Sequence, residues 1–531
     1  MKDLNVVLIA LYRYRNFPIR IIHSILENVE GVKPTSIFIK NSELNIFSDI
    51  TEKEIELFIN KIKELNPVIV GISVLSPFAP VAKQLTELIK KHTSAKIIWG
   101  GIHPTILPEQ SIAIADMICV GEGEDAIVEL ITCLRDGKDY SNISNLWIKD
   151  GDNIIRNPMR PLIQDLDIIP SPAFGRDTFY FINSDKITKE DATLKDNEIW
   201  IQTSRGCPYV CSYCVNSLLH PLFKDLGKYT RRRSVINIIK EIKEQLSLSK
   251  TKNYIFIVDE VFATDKAWID EFQVIYKKEI GLPFFVQYNP KLITSDVIKF
   301  LSEMGLDTIG MGIQSGSDYI RNKLFHRPGT NAEIINLSKD ITRYGVKICY
   351  DLIINNPYET EETLISTIKF LIELPVPLKF NLYTLQYFPN YPLTIKAIED
   401  GFISAESITI ENLSKQISSN SSWGFVPRFT PYLKKQVLQN IIWLVVWNHA
   451  NYSIVKYSLS DSIFSRFCLF YLHIKSVLLG KIVGVGGLIY KYVWFAYLVN
   501  GLSYIFKGDL KKLNLVIKKN IKKLLKLDKE E

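Results

Sequence analysis

Cys207, Cys211 and Cys214 stand close together in Ser204-Arg-Gly-Cys-Pro-Tyr-Val-Cys-Ser-Tyr-Cys-Val-Asn216, with the spacing Cys-x3-Cys-x2-Cys. Thiolates are preferred ligands of both iron–sulfur clusters and zinc. A complete site of either kind usually takes four protein ligands. The other cysteines, Cys119, Cys133, Cys349 and Cys468, are remote in sequence. On a four-iron cluster, three thiolates leave one iron free to bind a further molecule. A zinc knuckle and a group of buried thiols are the plainer alternatives that the spacing alone leaves open.

Such chemistry needs a rigid mount. The apolar run 199–203, directly before the motif, reads as a strand. A loop at the C-terminal end of a first strand is where an α/β barrel puts its chemistry. Further strands fit at 254–258, 284–288, 308–311, 347–354 and 378–385, and helices at 234–248, 266–280, 295–304, 331–344 and 361–374. Six strands are too few for a closed eightfold barrel. A partial (β/α)6 barrel over residues 198–400 follows, with a lateral opening that suits a large substrate. Its strand ends carry polar residues: Asp259-Glu260, Gln314-Ser315 and, shortly after, Arg327. Buried carboxylates are costly without a cationic partner. An N-cap role for Asp259 is equally open.

Residues 1–140 also alternate, with strands expected at 6–11, 36–39, 68–74, 97–99 and 117–120 and helices at 19–26, 52–65, 81–92 and 125–134. This predicts a doubly wound parallel sheet, which binds ligands beyond the carboxyl ends of its strands. Those ends are Ser73-Val-Leu75, Gly100-Gly101 and Gly121-Glu-Gly-Glu124, where small residues let a flat, bulky ligand approach the backbone. Residues 141–197, rich in prolines and turn signals, read as a connector. The fold class is therefore α/β: a doubly wound sheet, a partial barrel, and a mainly helical region over 401–531.

The cysteine motif, with Arg205-Gly206 before it and Tyr213 before its last cysteine, resembles the radical S-adenosylmethionine (SAM) superfamily. The resemblance implies a [4Fe–4S] cluster on Cys207, Cys211 and Cys214. Its open iron chelates SAM, and one electron splits the sulfonium to give a 5′-deoxyadenosyl radical. It implies that Tyr213, Asp259, Glu260, Gln314, Ser315 and Arg327 help hold SAM. Asp259 and Glu260 serve its amine, and Gln314 stands where the family more often has Glu. The turns of the first domain resemble the cobalamin-binding domain found ahead of many such barrels, through Ser73, Leu75, Gly100, Gly101, His103-Pro-Thr105, Pro108-Glu109 and Gly121-Glu-Gly-Glu124. Cobalamin is implied as a further cofactor, with methyl transfer as the reaction. The Asp-x-His-x-x-Gly of the wider cobalamin family is missing: Phe17-Pro-Ile-Arg20 occupies that turn, so cobalt would lack a protein imidazole. His23 is expected to pack within its helix. The alternative within the class is a first domain that binds no cobalamin.

Composition fits these expectations. The chain has 531 residues, 47% of them hydrophobic, and a net charge of +7 that does not call for nucleic acid. Seven cysteines, three of them clustered, do not suggest a disulfide framework. The first ten residues read as a buried strand rather than a signal peptide, so a reducing, oxygen-poor cytoplasmic setting is expected. An electron donor such as flavodoxin or ferredoxin is implied by the resemblance. In the C-terminal region, Lys475, Lys481 and Lys491 interrupt the apolar run, against a membrane-spanning helix. The tail 507–531 sets Leu510, Leu513, Ile517, Ile521, Leu524 and Leu525 at helical spacing among lysines. Two readings stay open. One is a helix lying peripherally on the inner membrane surface, which would favour a lipid or other apolar substrate. The other is a helix packed on the barrel.

Overall fold

The computed structural model describes residues 4–41, 48–376, 379–413 and 434–446, with scattered residues from 454 to 479. The alternating apolar runs of the first domain form strands β1 (Leu4–Leu11), β2 (Val32–Ile39), β3 (Ile69–Ser73), β4 (Lys96–Gly100) and β5 (Met117–Cys119). They pair in parallel in the order β5-β4-β3-β1-β2. Both faces are covered, which is why these strands read as unbroken apolar runs. The strand order reverses between β1 and β3, and a sheet of this kind opens its ligand crevice at that switch point. Local chemistry starts the helices: Asn16 caps Phe17–Glu27 by accepting from Ile19 N, and Thr51 with Glu54 forms a capping box at Glu52–Leu65.

The segment expected as a connector does more. It supplies β6 (Leu146–Asp150), β7 (Asn153–Arg156), β8 (Phe179–Asn183) and β9 (Lys186–Thr188), which extend both edges of the first sheet to nine strands. The β8–β9 hairpin turns through Ser184 and Asp185, at φ 52° and 60°, the left-handed pair that a tight two-residue hairpin needs. Arg20 ties this segment to the sheet. Its guanidinium is fully buried, bonds both carboxylate oxygens of Asp191 at 2.8 and 2.9 Å, and lies against Phe38, Phe174 and Phe179.

The second sheet holds β10 (Glu198–Ile201), β13 (Tyr254–Ile257), β14 (Phe284–Tyr288), β15 (Leu306–Gln314), β16 (Lys347–Ile354) and β17 (Phe380–Thr384). They run in that order and all in parallel. This is the partial barrel of six strands. Between β10 and β13 a small antiparallel ribbon forms from β11 (Ser204–Arg205) and β12 (Arg231–Arg232). Alternate residues such as Ile199, Ile255, Val286 and Ile309 pack outward on helices. The inward set begins with Trp200, Phe256 and Phe285, stacked at 4.6 and 4.1 Å between ring centroids. Of the C-terminal region, helix Lys434–Val446 packs on helix Glu361–Leu371. The basic tail and the aromatic segment 490–497 lie outside the described residues, and no helix among the described residues is long and apolar enough to cross a membrane.

Candidate functional site

The motif loop leaves β11 through Gly206, whose φ of +87° and 2.5 Å approach to the Tyr229 carbonyl exclude any side chain. Cys207 and Cys211 are buried and Cys214 is half-buried. Asn216 Nδ2 donates to Cys214 Sγ at 3.6 Å, and Arg327 Nη1 donates to Cys211 Sγ at 3.8 Å. Burial pushes the Cys207 thiol up to about 11, and the Cys214 thiol also upward. A metal centre would displace those protons. N–H donors aimed at sulfur suit thiolates on an iron–sulfur cluster. Among the described residues, no three His, Cys, Asp or Glu side chains gather closely enough for a single metal ion. A four-iron cluster keeps its ligands on separate corners. The donor set, three thiols with N–H donors aimed at two of them, fits such a cluster.

The strand-end residues divide. Asp259 is fully buried and its oxygens are taken up within the chain. They accept from Thr203 N at 2.6 Å, Ser204 N at 3.1 Å and the Thr203 hydroxyl, and pair with Arg232 at 3.1 Å. Its work is to fix the first turn of the motif loop, and it caps no helix; the next helix is capped by Asp265. Glu260 instead opens into a cavity. Protein around it, and the nearby Asp259 charge, push its carboxyl up to about 7. Gln314 sits at φ +62° where β15 bulges, and Arg327 donates to Gly312 O at 2.7 Å. Both crowd the place where a Gly312 side chain would be. Ser315 is buried and its hydroxyl accepts from Ser317 N. Tyr213 packs edge-on to Phe325 at 4.9 Å.

The cavity, of ≈ 330 Å³, lies between the two sheets. One wall is Ser73, Gly100, Gly101, Thr105 and Gly121; the other is Gln202, Arg205, Gly206, Phe223, Tyr229 and Glu260. A side chain at Gly100 would meet nothing within 4 Å, so the strand end faces open space. This fits a flat macrocycle lying on the backbone. Leu75 is not on the wall; it packs against the core of the first sheet. Among the described residues, no histidine lines the cavity. His23 is buried between Ser36 and Thr178, as expected of a packing residue. His103, also buried, bonds the Ser76 hydroxyl at 3.2 Å, and burial pushes it down to about 4.

Sequence reasoning did not foresee the ties across the cavity. Arg205 donates to Glu122 at 2.8 Å and to Glu124 at 2.6 Å, and Arg231 donates to Glu122 at 3.0 Å. Glu122 also accepts from Ile163 N. The Gly-Glu-Gly-Glu turn of the first domain is thereby bound to the strand that launches the cysteine loop. Thr105 braces the same turn, donating to Gly101 O and accepting from Gly121 N.

Comparison with known proteins agrees. Residues 201–371 match the profile of the radical SAM superfamily, and residues 9–131 match that of the B12 binding domain. An uncharacterised methyltransferase of Pyrococcus horikoshii is 28% identical over 59% of this chain and 66% of its own. Bacteriochlorophyllide d C-8(2)-methyltransferase of Chlorobaculum tepidum is 24% identical over 57% and 62%. The chain spans about half to two thirds of the first curated relatives it matches. Its fold is shared with the radical SAM methyltransferase TsrM of Kitasatospora setae, solved with cobalamin and a [4Fe–4S] cluster (TM-score 0.61, 15% identity, 90% of this chain and 99% of that one). It is shared equally with the cobalamin-dependent radical enzyme OxsB, solved with aqua-cobalamin and SAM (0.61, 15%, 99% and 80%).

Proposed function

We propose that this chain, a radical SAM protein whose half-barrel is preceded by a B12-binding domain, uses the two together to activate an unreactive carbon of a small-molecule substrate and methylate it. The observation that carries this reading is the shared cavity, with Ser73, Gly100 and Gly121 on one wall and Glu260 with the motif loop on the other. When bound, the cluster supplies the electron that cleaves SAM, and cobalamin carries the methyl group. Cys207, Cys211 and Cys214 would hold the cluster, and the Glu260 carboxylate suits the SAM amine. Gln314 offers a neutral amide to ribose hydroxyls. Arg327 places a cation beside Cys211. Ile19, Ile22, Ile98, Leu219 and Phe223 give the cavity apolar walls that keep water from the reacting groups. The electron comes from an external donor of the flavodoxin or ferredoxin type. The lysine-rich tail supports peripheral contact with an anionic membrane surface in the cytoplasm. The test is anaerobic, full-length protein loaded with iron, sulfide and hydroxocobalamin, then given SAM and dithionite. It should form 5′-deoxyadenosine, and Cys211→Ala should not. Protein that holds iron yet forms none overturns the proposal.

A further inference from the structure

Deep on the inward face of the half-barrel stands a carboxylate that the proposed chemistry does not use, that of Asp351. Asp351 stands on β16 with its side chain on the concave side, between the outward-packed Tyr350 and Leu352. It is 7% exposed. Neutral amides from two other strands hold its two oxygens. Asn381 Nδ2 donates to Oδ1 at 2.9 Å, and Gln287 Nε2 donates to Oδ2 at 3.2 Å. No cation among the described residues forms an ion pair with it. Arg327, which acts on it from a distance, is already engaged on Gly312 O and Cys211. Two amides fill only half of a carboxylate's acceptor capacity. A buried negative charge without a positive partner is costly.

Position gives this group its meaning. Asp351 pairs in register with Gly312, and the space beside Gly312 is filled by Gln314 Nε2 and the Arg327 guanidinium. The carboxylate therefore lies directly beside the residues proposed to hold SAM. The stacked rings of Phe256 and Phe285 lie nearer the start of the strands. On the edge strand β17, Asn381 and Tyr383 are exposed. Asn289, just after β14, adds a second unmet group: its Nδ2 is buried and has no partner among the described residues.

We propose that Asp351, held by Gln287 and Asn381, is the substrate anchor of the barrel and takes a cationic nitrogen group of the substrate. This rests on the radical SAM reading above and names the substrate class for it. Asn289 Nδ2 is then free to donate to an oxygen near that nitrogen.

The probe is n-butylamine, with n-butanol as its neutral match, added to full-length, cluster-loaded protein with SAM. Binding is read by saturation-transfer NMR. Wild type should bind the amine at least tenfold more tightly than the alcohol. Asp351→Asn should lose that preference and Asp351→Glu should keep part of it. Equal binding of amine and alcohol, no binding of the amine, or an amine preference that survives Asp351→Asn overturns the proposal. Abortive 5′-deoxyadenosine formation, measured on the same samples, separates the two layers. If it is present while the amine test fails, only the anchor is wrong; if it is absent from wild type, the parent reading falls and the anchor with it.

Discussion

The ties across the cavity permit a quantitative test. Arg205 reaches Glu122 and Glu124 with side chains that are 21%, 15% and 11% exposed, so solvent screens the pairs only in part. Glu122 keeps Arg231 and Ile163 N if Arg205 is removed, whereas no other cation is paired with Glu124 among the described residues. The double-mutant cycle Arg205→Met with Glu124→Gln therefore isolates one pair. A hydrogen bond between charged groups contributes about 1.5–3 kcal/mol, so the coupling should fall in that range. A chain of two domains with bound cofactors need not unfold in two states. Local opening is the better readout, followed by amide exchange in peptides covering 120–124 and 204–207. The coupling corresponds to roughly a 10- to 150-fold loss of protection, at about 1.4 kcal/mol per tenfold. The pH dependence has a definite sign. Burial works against the Glu122 charge, but Arg231 and Arg205 outweigh it and hold the carboxyl below its usual range. Its contribution is present above about pH 4.3, the ordinary glutamate value, and is lost as pH falls through the lower folded value. Single and double variants that add within about 0.5 kcal/mol would show that the turn and the loop are merely adjacent.

Single Cys→Ala changes at 207, 211 and 214 should each remove most iron from the purified protein, while changes at 119, 133, 349 and 468 leave it in place. Full iron in Cys211→Ala contradicts the assignment. Arg327→Ala should weaken SAM binding about tenfold, as expected for loss of a charge-assisted contact, and Gln314→Ala about fivefold, as for a neutral hydrogen bond; unchanged affinity in both means that SAM sits elsewhere. Full-length protein should bind anionic liposomes, less so as salt rises, since screening acts over about 8 Å at physiological strength. Removing residues 508–531 should reduce that binding and spare the cluster. Liposome binding that is absent from the full chain, with unfolding on truncation, makes the tail a packing helix.

Periodicity carried most of the fold because parallel strands buried on both faces leave long apolar runs, as in β1 and β16. It failed on β8 and β9, whose hairpin turns through Ser184-Asp185 without the glycine or asparagine that usually marks such a turn. The cysteine loop was legible because its ligands are neighbours in sequence. Asp259 stands at a strand end where the resemblance implies a group for the SAM amine, with a helix N-cap as the equal alternative. Its actual partners, Thr203, Ser204 and Arg232, are distant in the chain, and no local pattern encodes them. The pairing of Arg205 with Glu122 and Glu124 joins two domains, so both motifs were visible while their contact was not. Asp351 carries no signal in its own stretch of sequence; its place in the barrel follows from its contacts with three neighbouring strands.

The central claim is that the cavity between Gly100-Gly101 and the cysteine loop holds cobalamin with no protein imidazole on cobalt. Electron paramagnetic resonance of the cobalt(II) form of the reconstituted, full-length protein tests it most directly. The predicted spectrum lacks nitrogen superhyperfine splitting from a protein ligand, and His23→Ala and His103→Ala leave it unchanged because neither residue lines the cavity. Splitting that disappears in either variant, or protein that retains no cobalamin after gel filtration, contradicts the account.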